Sequence, residues 1–151
     1  MVEIVDTTIA NIDKFGCGCI TNPKHKGFQL KKEWFENRYK EGLRIKVLYD
    51  QQKRIGFIEY CPAENAWRPL SASGYLFIQC LWTKSKKDRN KGYGGLLIEE
   101  AITYAKENKF VGVVVITSEG SWIAGKTIFL KHGFTQIESK DRYDILVYDF
   151  E

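Results

Sequence analysis

An α/β domain built on a mixed sheet is predicted from three observations. The runs GYLFIQCLWT (74–83) and VGVVVIT (111–117) are apolar at nearly every position, the mark of strands covered on both faces. Each is followed along the chain by apolar residues at helical spacing, LLIEEAITYAKEN and WIAGKTIFLKH. RIKVLYD and RIGFIEY, joined by QQK, form one hairpin, and FTQIES with YDILVYDF closes the chain as an antiparallel pair.

The remaining elements follow in order. VEIVD opens as a short strand, and TTIANIDKF is a short helix with Thr7 or Thr8 as its cap. GCGCITNPKHKG is a loop by its glycines and Pro23. Leu30, Trp34, Phe35, Tyr39 and Leu43 recur at helical spacing among charges, which predicts an amphipathic helix. PAENAWRPLSAS is a polar loop broken by Pro62 and Pro69. WIAGKTIFLKH makes a helix of about three turns, stopped by Gly133 as a left-handed cap. The order is β-α-α-β-β-β-α-β-α-β-β. With no repeat, linker or low-complexity stretch, one domain over residues 1–151 is expected.

Composition narrows the function. At 44% hydrophobic and 14% aromatic residues the chain is globular and not disordered. No apolar stretch reaches the ~18 residues of a membrane span, and MVEIVDTTIAN lacks a signal-peptide layout, so the cytoplasm is the expected compartment. Of Cys17, Cys19, Cys61 and Cys80, only Cys17-Gly-Cys19 is a local pair, and a lone C-x-C is a weak metal signal. The only histidines are His25 and His132, too few for a His-based site, so no metal is expected. The net charge is +4, and Lys84 to Lys91 carries five cations against one Asp. Such a run is either a solvated loop or a site for a polyanion. One small patch suits nucleotide phosphates or a phosphorylated cofactor better than nucleic acid.

Two glycine motifs compete for a phosphate. GSWIAGKT (120–127) fits the phosphate-loop pattern G-x-x-x-x-G-K-[ST] and sits between a strand and a helix. A nucleotide-hydrolysing domain builds most of its parallel sheet after that motif, however, and only a helix and a hairpin have room to follow Thr127. ILVYD (145–149) mimics the later metal-binding strand without the intervening βα units. RNKGYGG (89–95) lies between a buried strand and a clean helix, where unpaired N–H groups suit a pyrophosphate. Glycines at 92, 94 and 95 let a phosphate approach the main chain. Leu97 stands where a dinucleotide fingerprint needs its third glycine.

Arg89-Asn90-Lys91-Gly92-Tyr93-Gly94 fits [RQ]-x-x-G-x-[GA], and with its strand–helix context it resembles the pyrophosphate signature of the GNAT superfamily of acyl-CoA N-acyltransferases. The element order and GKTIFLKHGF resemble that family too. EGLRIK, GFIEYCP, NAWRPL and TSEGSWIAGKTIFLKHGF are similar, more narrowly, to the acetyltransferase domain of YoaP-like proteins. The resemblance covers nearly the whole chain. It implies a mostly antiparallel mixed sheet splayed between its fourth and fifth strands, flanked by helices, with acetyl-CoA as co-substrate inserted in the splay.

The resemblance further implies that main-chain groups of Leu81, Trp82 and Thr83 bond the pantetheine and the thioester. One such N–H would stabilise the oxyanion. Arg89, Asn90, Lys91, Gly92, Tyr93, Gly94 and Gly95 would wrap the pyrophosphate, and the Lys84–Lys91 cations would hold the 3′-phosphate. Glu59 is the candidate base: alternation in RIGFIEY puts it on the side of Ile55 and Phe57, half-buried, which raises a carboxylate pKa. Its other reading is a structural carboxylate paired with a strand neighbour or with Arg68. Phe129 stands where family members often carry a Tyr acid, so it is kept as a cofactor contact and the acid is unassigned. A thiolate of pKa ~8.5 leaves with little help. Cys80 is a candidate donor, or else an inert buried thiol. Trp67, Arg68, Glu64 and the 27–43 helix would line the acceptor mouth.

The expected activity is acetyl transfer by direct attack of a primary amine on a small molecule or peptide. A phosphate-loop protein and a non-catalytic acyl-CoA-binding module are the alternatives. No membrane or nucleic-acid partner is expected, and a homodimer is left open.

Overall fold

The computed structural model describes residues 2–16, 22, 24–66, 73–83, 92–118, 126–141 and 143–150. Its elements are β1 (Val2–Asp6), α1 (Ile12–Phe15), α2 (Phe28–Lys40), β2 (Arg44–Asp50), β3 (Lys53–Pro62), β4 (Tyr75–Thr83), α3 (Tyr93–Glu107), β5 (Gly112–Ser118), α4 (Lys126–Lys131), β6 (Thr135–Lys140) and β7 (Tyr143–Asp149). This is the order expected from the sequence. The strands form one sheet, ordered β1-β2-β3-β4-β5-β7-β6. Every neighbouring pair is antiparallel except β4 and β5. Among the described residues no helix is long and apolar enough to cross a membrane.

Period-two alternation sends each strand's side chains to two separate cores. On one face, Leu97, Ile98, Ala101, Ile102 and Ala105 of α3 pack on Ile58, Leu76, Ile78, Val113 and Val115. On the other, Phe28 and Phe35 of α2 pack on Ile45, Val47, Phe57, Phe77 and Val114. Burial on both faces is why the two central runs are apolar throughout.

Three local expectations need correction. The first helix covers only Ile12–Phe15. Neither Thr7 nor Thr8 is its cap, because the helix begins only at Ile12 and the N-cap position falls on Asn11. Asn11 Oδ1 accepts from Thr8 N–H at 2.7 Å and makes no bond to the helix's own N–H groups. In α2, Leu30 is 70% exposed and Phe28 takes the inward place. At 3.6 residues per turn Leu30 lies about 140° round from Phe35, so both cannot face the sheet. Finally, α3 starts at Tyr93, which puts Gly94 and Gly95 inside its first turn. The Gly133 stop is present: its φ is +94°, and Phe134 N–H reaches back to Phe129 O at 3.1 Å.

Two bulges interrupt the ladders around β3. Leu48 pairs with Gly56 but Tyr49 with Arg54, leaving Ile55 as the extra residue. Ile55 therefore joins the α3 core while Phe57 joins the α2 core, so Glu59 does not share a side with Ile55 as alternation predicts. In β4, Cys80 pairs with Glu59 and Ile78 with Tyr60, so Gln79 is extra. Gly56 sits at the close approach between these strands: a Cβ there would lie 2.3 Å from Trp82 O. A backbone oxygen held in a ladder cannot yield cheaply. Gly56→Ala should cost about 1–3 kcal/mol, read as a lowered urea midpoint with unchanged m-value.

Candidate active site

The β4–β5 ladder runs only from Tyr75↔Gly112 to Ile78↔Val115. Beyond it, β4 continues to Thr83 and β5 to Ser118 without pairing to each other, so the expected splay is present. Leu81, Trp82 and Thr83 lie on the β4 arm of the gap, paired across to Ile58, Phe57 and Gly56 of β3. Leu81 is buried in the α3 core, and the Trp82 ring packs on Phe57 at 6.0 Å. With those side chains held by protein, what the β4 arm can offer the gap is its main chain.

Helix α3 starts on this side of the sheet. Its N-cap, Gly92, has φ +78° and offers no side chain to cap the first turn. Among the described residues, a Cβ on Gly92 would meet nothing within 4 Å. Gly94 and Gly95 answer to a different demand. A Cβ on Gly94 would strike Ile128 Cδ1 at 2.6 Å, and one on Gly95 would strike His132 Nε2 at 2.6 Å. These two glycines let the segment carrying α4 lie against α3, and of the three only Gly92 meets no such neighbour among the described residues. Tyr93 is buried, and its hydroxyl donates to the Asp50 carboxylate, tying α3 to the end of β2. Arg89, Asn90, Lys91 and the other cations of the Lys84–Lys91 run lie outside the described residues, as do Trp67 and Arg68.

Phe129 is fully buried in the α3 core, its ring edge-on to Phe134 at 5.3 Å. It has no hydroxyl to give a leaving thiolate.

Glu59 faces the opposite side, toward α2, and is 8% exposed. Oε2 accepts from Gln79 Nε2 at 3.1 Å, and Oε1 is 3.9 Å from Lys31 Nζ on α2. Burial pushes its pKa up, against the smaller opposing pulls of Lys31 and the Gln79 amide. The carboxylate thus has structural partners and the elevated basicity of a proton acceptor at once. Cys80 pairs directly across from Glu59 and is partly exposed. Cys61, on the same strand as Glu59, is a poor nucleophile: burial first, then Glu59, Glu41 and Glu64, push its thiol up to about 12.

Beside Glu59 a cleft opens on the α2 face, lined by Trp34, Arg38, Glu41, Leu43, Cys61, Asn65 and Gln79. Trp34 and Arg38 of α2 are among the residues that line it. Glu64 is not among the lining residues, and its Oε1 instead accepts from Gly74 N–H at 3.2 Å. Trp34 packs against the α2 core as its spacing predicts and also walls the cleft, and Arg38 joins it there. The signal available was their i,i+4 spacing, which stacks both on one helix face.

GSWIAGKT lies mostly outside the described residues, but its last two residues, Lys126 and Thr127, are the first two of α4. Lys126 Nζ is 3.4 Å from Asp144 Oδ2 and donates to Gln136 Oε1 at 3.3 Å. It turns toward β6 and β7. Asp149, the aspartate of the metal-strand mimic, pairs with Gly112 at the start of β5. That is the end of β5 remote from the glycine stretch, about 20 Å away at ~3.3 Å per residue.

The arrangement is a sheet parted between two parallel strands, with the start of α3 at one side and a buried carboxylate on the other face. Residues 13–134 match the Acetyltransferase (GNAT) family. The chain is 32% identical over 121 residues, 79% of its length, to a protein described as an uncharacterized N-acetyltransferase, YoaP, from Bacillus subtilis (strain 168). It spans about half, 47%, of that relative. An N-acetyltransferase from Staphylococcus aureus Mu50 superposes with TM-score 0.68 at 15% identity, covering 100% of this chain and 99% of that one. PaiA N-acetyltransferase from Thermoplasma acidophilum, in complex with coenzyme A, gives 0.64 at 14% identity over 99% of each chain. The structural likenesses are likenesses of fold. The chain belongs to the GNAT acetyltransferase family.

Because the folded-state pKa of Glu59 is raised, its stabilising influence is present below the ordinary carboxylate range and lost as pH rises through the raised value. Glu59→Gln carries no such loss. Its urea midpoint should gain on that of the wild type as pH rises above the ordinary carboxylate range. A gap that does not move with pH would mean that Glu59 titrates normally.

Proposed function

We propose that this domain transfers the acetyl group of acetyl-CoA to a primary amine by direct attack of the amine nitrogen on the thioester carbonyl. What supports this above all is the gap beyond Ile78 and Val115, with the Gly92 turn of α3 beside it. The main chain of the β4 arm, which β5 does not pair beyond Ile78, suits the amide-bearing pantetheine. The start of α3 suits a pyrophosphate, since the first N–H groups of a helix have no partner within it. Arg89, Asn90 and Lys91 would complete that grip. The coenzyme A bound to the Thermoplasma relative is in keeping with the same use of the fold.

The chemistry asks three things of the chain. A neutral amine must be generated at the thioester, and Glu59 is the group to take the ammonium proton, directly or through a water. Charge developing on the carbonyl oxygen must be met by a fixed donor, the role proposed for a β4 N–H at Leu81, Trp82 or Thr83. As the C–S bond breaks, the electron pair stays on sulfur. A thiolate tolerates this without a strong acid, which suits Phe129 at the position where a tyrosine would serve. Cys80 is not required, since the amine itself attacks.

Acetyl-CoA should raise the melting temperature through mass action, and Mg-ATP should not. Gly94→Val is a poor probe of phosphate contact, because it strikes Ile128; Arg89→Ala is the cleaner one and should weaken CoA binding. Glu59→Gln should lower turnover roughly 10²-fold or more with little change in acetyl-CoA affinity, and remove the rise of kcat/KM with pH. Acetyl-CoA binding without transfer to any amine would leave a binding module.

A further inference from the structure

The cleft beside Glu59 carries chemistry that speaks to the acceptor, on the premise of the acetyl transfer proposed above. It is small and opens to solvent at its mouth. That suits one small acceptor, or one residue of a larger one. Trp34, Leu43 and Cys61 make its wall apolar, and its polar groups are placed at different elements.

Gln79 marks the end nearest the chemistry. It is the extra residue of the β4 bulge, one position past Ile78, where β4 leaves β5. Its Nε2 is given to Glu59, which an ionised carboxylate requires of an amide neighbour, so its Oε1 remains as an acceptor. Gln79 Oε1 and Glu59 together favour an incoming ammonium.

Arg38 supplies a complementary group from α2. Nη1 is fixed by Glu41 Oε2 at 3.0 Å, an i,i+3 pair that holds the guanidinium plane. Nε is buried and, among the described residues, has no hydrogen-bond partner, while the Arg38 side chain as a whole is 41% exposed and lines the cleft. The open part of the guanidinium is where an acceptor arriving with the ligand would bind. A carboxylate matches the guanidinium geometry. A phosphate dianion fits less well, because Glu41 and Glu59 already give this region negative charge. A second ammonium, as in a diamine, would meet Arg38.

We propose that the acceptor is a zwitterionic amine of the amino-acid class, its carboxylate bound by Arg38 and its amine presented at Gln79 and Glu59. The apolar wall would take a hydrocarbon side chain.

The test is acetyl transfer from acetyl-CoA to the common amino acids, to their carboxamides, and to putrescine. It uses the wild type, Arg38→Leu, Arg38→Lys and Glu41→Gln. At least one amino acid should exceed its own amide by roughly tenfold to a hundredfold in kcat/KM, chiefly through KM. Arg38→Leu should erase that ratio while acetyl-CoA still raises the melting temperature. Arg38→Lys should recover it in part, and Glu41→Gln, by releasing Nη1, should enlarge it. Amides equal to or better than acids throughout, a preference for putrescine, or an acid preference that survives Arg38→Leu would overturn the proposal and leave the acetyltransferase reading standing. Absence of both acetyl-CoA binding and transfer would overturn the two together.

Discussion

The β4–β5 ladder breaks off after Ile78 and Val115, and most of the functional geometry depends on that break. Parallel strands hold together only while both continue in register. Gln79, an extra residue in β4 at the point of parting, bends and twists its strand, as bulges do. Among the described residues, the inner edges of the two arms do not pair with each other past that point. Unpaired backbone groups favour any ligand able to complete the ladder, and a linear chain of amides is such a ligand. A gap of this kind works only if the rest of the sheet is firm. Here the firmness comes from two cores, one against α3 and one against α2, that close both faces of the same strands.

The same bulge gives Glu59 its character. Glu59 pairs with Cys80, and the adjoining extra residue, Gln79, brings its amide to the carboxylate. Burial raises the pKa of Glu59, while Lys31 and Gln79 moderate the rise. A carboxylate with no partner in that position would be held protonated and could not accept a proton. One fully paired in water would be too weak a base. The balance between burial and two modest partners leaves a carboxyl group that ionises later than ordinary carboxylates, which suits the base role proposed for it. On the proposed reading, donor and acceptor sides also separate by face, with α3 on one and α2 with Glu59 on the other. Gln79 is the residue that touches both the parting and the cleft.

Much of this was legible in the sequence because it rests on periodicity. Apolar runs at 74–83 and 111–117 predict strands covered twice, and both are covered twice. The strand and helix order followed from the same patterns. Bulges were not legible, since nothing in RIGFIEY announces that Leu48 and Tyr49 skip a partner. The alternation argument therefore put Ile55 beside Glu59 although it lies on the other face. Gly94 and Gly95 were noticed, but composition cannot tell a glycine that admits a phosphate from one that admits a neighbouring segment. The atoms opposite each missing Cβ, Ile128 and His132, make that distinction. Arg38 went unnoticed because a lone charge on a helix has no pattern until Glu41 and the cleft surround it. The candidate residues Trp67, Arg68, Arg89, Asn90 and Lys91 lie outside the described residues.

GSWIAGKT shows how a pattern can match while its physics is absent. A phosphate loop needs its lysine at the phosphates and an aspartate on a neighbouring strand at the same sheet end. Lys126 instead pairs with Asp144 and Gln136 within the β6–β7 edge. Asp149 is set at the wrong end of β5, because β7 runs antiparallel to β5. Reversing one strand's direction moves its C-terminal residue the full length of the sheet, and no local sequence window records that direction. The short motif near α3 escapes this weakness, since a helix N-terminus carries its unpaired N–H groups with it wherever the strands run.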